Sequence, residues 1–247
     1  MNQTPYEIMT AHRSIRAYKD QPIAEHDLNE ILEAAIHAPS SINGQQFSII
    51  VVKDPKKKET LAALCGNQPW IAKAPVFLVF VSDYQRVAAA LKEQNLPFEN
   101  IQSIEATLVG AVDCGIAFSN AMTVAESKGY GIVPIGSVRR DPQAIIDLLD
   151  LPEYVYPIVG MCLGVPAEDP ALKPRFPEEM MIHRETYRVA SQEERAAYDE
   201  TVRSYMDERT KGQDVRTWSE TVGAVYSKVY FPEVLPTLKK QGYTNEK

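Results

Sequence analysis

Residues 101–128 constrain the fold more than any other stretch. Ile104, Leu108, Val112, Ile116, Met122 and Val124 recur at helical spacing, with Gly110, Ala111, Gly115, Ala117 and Ala121 among them. This pattern predicts a long helix, and a helix apolar nearly all round must be buried. Small residues on several faces let other backbones come close. A single partner sheet cannot cover every one of those faces, so the pattern predicts a central helix that also touches a second copy of the chain. Gly129 supplies its C-terminal stop.

The remaining elements read as layers around this helix. Near-continuous apolar runs at 47–52, 76–81 and 154–163 predict buried strands, and Gly164 ends the last. Thr4-Pro5-Tyr6-Glu7 is a capping box that opens a short first helix. After Pro22, Leu28, Ile31, Leu32, Ala35 and Ile36 mark an amphipathic helix closed by Pro39. Asp54-Pro55 starts a helix with Leu61 and Leu64 inward and a lysine run outward, and Gly66–Trp70 reads as a loop. A helix near 84–94 and one from Asp141-Pro142 to Leu149 complete this part. The glycines from Gly129 to Gly136 do not make a dinucleotide loop, because the third comes two residues too late and no helix follows. That stretch predicts a strand ending in the turn Pro134-Ile135-Gly136-Ser137.

Pro166, Pro170, Pro174 and Pro177 then forbid a helix or central strand over 165–181. From Ser191 a second capping box, with Glu194, opens a helix whose inner face is marked by Ala197, Val202 and Tyr205. It ends at Arg209-Thr210-Lys211-Gly212. Trp218, Val222, Tyr226, Tyr230 and Phe231 follow, with no later element expected to bury them. A division into a 1–190 core and a 191–247 C-terminal helical extension, not an independent domain, fits this pattern.

With 247 residues the chain can bury a substantial core, and its net charge of −7 argues against a nucleic-acid or anionic-membrane surface. Cys65, Cys114 and Cys162 lie far apart in apolar stretches, which predicts reduced core thiols and a cytoplasmic protein. Met1-Asn2-Gln3 leaves no room for a signal peptide, and the longest apolar stretches carry charges or prolines, so no membrane span is expected. His12, His26, His37 and His183 show no metal-ligand spacing, and there is neither a GxSxG nor a Walker-type loop. What remains is His12-Arg13-Ser14-Ile15-Arg16, a second cationic pair in Lys173-Pro174-Arg175, and amide-and-hydroxyl loops at 39–46 and 66–70. A guanidinium fork with a short hydroxyl suits a phosphate ester. The whole set suits an organic cofactor with a phosphate at one end and a flat polar ring at the other, although a basic cluster of this size also fits a solvated surface patch.

Taken in order, HRSIR, PSSINGQQ, GNQPW, VPIG and LKPRFP resemble the FMN-dependent nitroreductase superfamily along essentially the whole chain, and within it the NADPH-dependent nitro/flavin reductases of the flavin reductase P type. The resemblance implies an α+β sandwich, a mixed and mainly antiparallel sheet flanked by helices, in an intertwined homodimer. It assigns Arg13 to the FMN phosphate with His12 and Ser14 beside it, Arg16 to the ribityl chain and pyrimidine oxygen, and Lys173 and Arg175 to the rest of the phosphate clamp. Gln68 matches the amide that reads O2 and N3 of the ring. Pro134 and Ile135 pack under the ring, and the Gly136 backbone N–H, with Ser137 next to it, approaches N5. Ser40 and Ser41 come from the other subunit. Asn43 stands in the same loop, where Ile42-Asn43-Gly44 departs from the serine-rich loop of some relatives.

The implied activity is ping-pong hydride transfer from NADPH to FMN N5, then two-electron reduction of nitro compounds, quinones or free flavins. No side chain is assigned as general acid or base. Arg209, at a helix end before a polar segment, suits both a solvated terminus and the 2′-phosphate of NADPH; its distance from Trp218 matches the family and favours the second. A non-catalytic flavin carrier or sensor of the same fold stays open, since fold alone does not fix function. So does a fold relative with another reaction, although no lid segment of that kind is recognisable.

Overall fold

The computed structural model describes residues 3–247; the expectation for Met1 and Asn2 lies outside the described residues. Two compact units result: the chain up to Pro170 together with Phe231–Lys247, and Ala171–Tyr230. The divisions therefore fall at 170 and 230, not at the expected 190, because the last seventeen residues return to the first unit.

The first unit is built on a sheet ordered β1-β2-β4-β3, with β1 Phe47–Val52, β2 Val76–Asp83, β3 Gly131–Ile135 and β4 Val155–Gly164. All three pairings are antiparallel, with Phe47 opposite Ser82, Val76 opposite Leu163 and Gly131 opposite Gly164. A parallel bridge from Ser14 to Ile132 adds the mixed character. Both faces of β2 are covered, which is why its run is apolar without alternation. Leu78 and Phe80 pack on one side with Ile31, Ala117 and Ala121, whereas Phe77, Val79 and Val81 pack on the other with Leu61, Ile71 and Ile145.

The helices of this unit are α1 Pro5–Thr10, α2 Glu25–Ile36, α3 Pro55–Leu64, α4 Pro69–Lys73, α5 Gln85–Glu93, α6 Ile104–Ser127 and α7 Pro142–Leu148. Pro5, Pro55, Pro69 and Pro142 open four of them, where a missing N–H costs nothing. The first capping box is present as expected. Residues 69–73 correct the loop expected there. Pro69 and the Ala74 N–H bonded to Trp70 O at 2.9 Å make them a helical turn. Lys58 also departs from the outward lysine run: it is buried, and Nζ caps the end of α4 through Ala74 O at 2.5 Å and Pro75 O at 3.3 Å.

α6 is the central helix, and Gly110 permits its approach to β2, since a Cβ there would lie 2.1 Å from Ser82 Oγ. Its length and composition alone would suffice to cross a membrane, against expectation. Here, Ala106, Asp113, Cys114, Ala117 and Ala121 are buried inside the unit. It is not buried all round, because Ile104, Leu108 and Val112 form an exposed stripe at four-residue spacing. Gly129, at φ +82°, ends it as expected.

The tail adds a helix beyond Phe231, although Tyr226 and Tyr230 stay exposed. The helix α11, Val234–Lys240, leads to Tyr243, which is fully buried. Tyr243 Oη lies 3.1 Å from Ser82 Oγ and donates to Tyr154 O at 2.9 Å.

The second unit holds α8 Glu178–Met181, α9 Gln192–Thr210 and α10 Trp218–Tyr226. The capping box of Ser191 and Glu194 is present, and Thr217 with Glu220 makes another. The buried residue of α9 is Tyr198, not Ala197, which is exposed. Tyr198, Phe176 and Trp218 form an aromatic cluster, with ring centroids 4.0 Å apart for Phe176–Tyr198 and 4.9 Å for Phe176–Trp218.

Candidate functional site

The basic segment leaves α1 and runs against the sheet edge. Ile15 N donates to Ile132 O at 2.9 Å, and Ile15 is buried so closely that a Cβ on Gly131 would meet its side chain at 2.7 Å. Tyr18 Oη donates to Ile15 O at 2.6 Å. Downstream, Lys19 N donates to Val165 O and Ala167 N to Ala17 O, each at 2.9 Å. Glu168 accepts from Arg16 N and, at 3.0 Å, from Ala17 N. The backbone from Ile15 to Lys19, which carries Arg16, is thus held by hydrogen bonds from several elements.

Arg13 is half-buried. Its Nη1 donates to Ala11 O at 3.2 Å and its Nε stands 3.7 Å from Asp169, yet that Nε is buried without a hydrogen-bond partner. An orphaned buried donor on a cation is what a phosphate oxygen satisfies. A cleft of about 220 Å³ is lined by Arg13, Glu126, Tyr130, Glu168 and Asp169 among others. His12 Nδ1 lies 2.5 Å from Glu126, a pairing across 114 positions. Ser14 supplies the bridge to Ile132.

Arg16 reaches the other way, its guanidinium carbon 5.6 Å from the centre of the Trp70 ring. Two residues before Trp70, Gln68 Nε2 donates to Cys65 O at 2.8 Å and to Ser137 Oγ at 2.6 Å. Both amide hydrogens are then used, and Oε1 is the atom Gln68 presents. The turn at Gly66-Asn67 that delivers it has φ +87° and +58°. A contact circuit therefore joins segment 12–16, β3, the turn at 136–139 and α4. Within it, Pro134 is exposed and Ile135 is turned into the core, as strand alternation requires, so the Ile135 side chain is not at the surface where the resemblance expects it beside Pro134. Gly136 and Ser137 begin the single turn after β3.

Ser40, Ser41 and Asn43 lie on the loop between α2 and β1. Ser41 N donates to Asp113 at 3.2 Å, Ser40 Oγ accepts from Gln45 N at 3.0 Å, and Asn43 is exposed at φ +53°. In the second unit, Lys173 and Arg175 are exposed. Arg175 Nη1 donates to Lys173 O at 2.8 Å, and Tyr198 Oη donates to Pro174 O at 3.2 Å. Arg209 lies over Tyr205, 5.9 Å from the ring centre.

Several residues escaped the sequence reading. Asp113, Glu126, Glu168 and Asp169 are single acidic residues with no local pattern, and only chain reversal brings them to their partners. Trp70 stands in the GNQPW motif without a role of its own, and the Arg16 guanidinium over its ring supplies a contact. His26, Asp27 and Glu30 also group closely enough to hold a cation, against the expectation from spacing. Lys128 already bridges Asp27, at 2.8 Å, and Glu30.

An antiparallel four-stranded sheet flanked by helices, with a basic segment bridged in parallel to its edge strand, defines the class as an α+β sandwich. The description "Nitroreductase family" matches residues 9–165, and "Nitroreductase family, C-terminal domain" matches residues 173–246. FMN reductase [NAD(P)H] of Bacillus subtilis is 46% identical over 244 residues, 97% of each chain. NADPH-flavin oxidoreductase of Vibrio harveyi is 38% identical over 98% of each. The structure of NfrA2 from B. megaterium superposes with a TM-score of 0.96 at 44% identity, covering 98% of this chain and 99% of that one. The Vibrio harveyi NADPH:FMN oxidoreductase, solved in complex with NAD+, gives 0.88 at 35% identity, covering 98% and 99%. The chain belongs to the nitroreductase family.

Proposed function

We propose that this protein is an NADPH-dependent FMN oxidoreductase that reduces free flavins, nitro compounds or quinones. The observation that carries this reading is the circuit from Ile15 to β3, Ser137, Gln68, Trp70 and back to Arg16, with the unpartnered Arg13 Nε beside it. The likeness along nearly the full length of FMN reductases supports it.

FMN, when bound, supplies the hydride and two-electron chemistry. The chain supplies placement. Arg13 offers its buried Nε to the phosphate, with His12 and Ser14 adjoining, and the family pattern assigns Lys173 and Arg175 to the same group. Gln68 offers Oε1 to the ring edge, Pro134 offers an apolar surface, and Gly136 a backbone N–H with Ser137 beside it. Arg209 gives NADPH its preference over NADH.

The site is completed in a homodimer, where Ser40, Ser41 and Asn43 serve the flavin of the partner and the helical extension from 191 to 230 embraces the other subunit. The exposed stripe of Ile104, Leu108 and Val112 supports this, as does Gly115, whose missing side chain opens onto free space. A cytoplasmic setting is supported by Cys65, Cys114 and Cys162, which are all buried free thiols.

The purified protein should be yellow, and should oxidise NADPH steadily when given FMN or a nitroaromatic. A colourless protein, or a yellow one that leaves NADPH untouched, sinks the reading; the second result would leave a flavin carrier.

A further inference from the structure

The loop between α2 and β1 holds an unusual backbone. Ile42, Asn43 and Gln45 have φ of +50°, +53° and +53°, in a region that L side chains with a branched Cβ rarely enter. Ile42 is 95% exposed, so no burial of its side chain within this chain compensates for the strain. Such a conformation persists only where the surroundings over-determine it.

Within the loop, Asn43 N donates to Ser40 O at 3.1 Å and Gly44 N to Ser41 O at 2.8 Å. From outside, two side chains grip its ends. Arg86 Nη2 donates to Gln45 O at 2.8 Å and to Phe47 O at 2.7 Å, while its Nη1 is held by Asp83 at 3.1 Å and Ser48 Oγ at 3.2 Å. Asp113 accepts the Ser41 N–H with Oδ1.

Asp113 is the costly one. It is 2% exposed in the middle of the central helix, and its Oδ2 has no hydrogen-bond partner. Burying a carboxylate with one oxygen unsatisfied is unfavourable, and an apolar side chain would pack there without that penalty. Its one hydrogen bond goes to the strained loop.

We propose that Asp113 is a positioning residue for the flavin: with Arg86 at the far end, it fixes loop 40–46 so that Ser40 and Ser41 are displayed ready for FMN. The inference rests on the assignment of those serines to the flavin. A preformed loop has no ordering entropy left to lose when the ligand arrives, so the benefit falls on affinity.

Dilution of the purified holoenzyme, with released FMN followed by its fluorescence, tests this. Asp113→Leu should bind FMN at least about tenfold more weakly while its melting temperature holds or rises. Asp113→Asn, which keeps an acceptor for Ser41 N, should retain FMN like the parent. Arg86→Met removes the other anchor from an exposed position and should weaken FMN in the same direction. Parental affinity in both Asp113→Leu and Arg86→Met overturns the proposal, as does a parallel fall of affinity and melting temperature that Asp113→Asn does not rescue. If Asp113→Leu does not fold, Arg86→Met alone decides. Ser40→Ala with Ser41→Ala separates the two levels: unchanged FMN there removes the serine assignment itself, whereas weakened FMN there with parental affinity in the anchor variants removes only the positioning role.

Discussion

Gln68 Nε2 donates to Ser137 Oγ at 2.6 Å, and this bond joins the entry to α4 with the turn that leaves β3. The two residues are 69 positions apart, and the bond leaves only Oε1 of Gln68 facing outward. Ser137→Ala strands an amide hydrogen in a half-buried place, which should cost about 1–2 kcal/mol of stability. Urea unfolding should show a lowered midpoint, and FMN should leave faster on dilution. An unchanged midpoint and release rate would show the bond to be idle.

Arg13→Ala should release FMN. Removing one charge-assisted partner from a desolvated phosphate costs about 2–5 kcal/mol, and Arg175→Ala should act in the same direction. Absorbance of dialysed protein reads the outcome. Stoichiometric flavin in both variants would refute the phosphate assignment.

Arg209 sits at the end of α9, exposed, over the Tyr205 ring. Arg209→Ala should raise KM for NADPH and leave KM for NADH nearly unchanged, because only the first carries a 2′-phosphate for the guanidinium to meet. Equal losses with both nucleotides would leave Arg209 as a helix terminus and nothing more.

The exposed stripe on α6 should be an interface. Leu108→Glu combined with Val112→Glu places charges where apolar contact with the partner is expected, and sedimentation should show a monomer that loses flavin. Truncation at 216 would be a poor substitute, because it also removes Tyr243 from the core. A double variant that remains a flavin-loaded dimer would place the interface elsewhere.

Burial holds the Asp113 carboxyl above its ordinary value, partly offset by the Ser41 N–H. Tyr84, itself pushed up to about 12 by burial, lies close enough to feel its charge, as does Cys114. A raised folded value means that the unfolded chain gives up its proton first. The favourable state exists below the ordinary value near 3.8 and is lost as pH rises through the folded value. Asp113→Asn should therefore gain on the parent as pH is raised from about 4 towards neutrality in thermal unfolding. A difference independent of pH would show that Asp113 ionises in the fold as freely as in water.

Capping and turn chemistry was legible because each signal sits within a few residues. Thr4 with Glu7, Ser191 with Glu194, Asp141-Pro142 and the glycine after the long helix all act where they stand. The buried strand β2 was legible too, since a run covered on both faces needs no partner to be recognised as apolar, whereas β1, equally apolar in sequence, is an edge strand with Ser48 to Val51 only partly covered. The motif order carried the family, and with it the flavin. Whether a side chain that could face either way does so is another matter. Lys58 reads as one of three consecutive surface lysines, yet the end of α4 offers it two carbonyls. Ile135 reads as a platform beside Pro134, yet strand alternation sends it inward. Trp70 reads as loop until Lys58 and Ala74 close the turn beneath it.

The same limit explains the acids at the basic segment and at the 40–46 loop. Glu126, Glu168 and Asp113 act on residues 114, 152 and 72 positions away. No local pattern encodes such pairs, because their free energy exists only once the sheet has brought distant backbone together. Periodicity, caps and turns are set by interactions between neighbours along the chain, so sequence alone determined the elements. Which carboxylate is buried, which loop is held under strain and which face of α6 is left bare depend on contacts that only the tertiary structure decides.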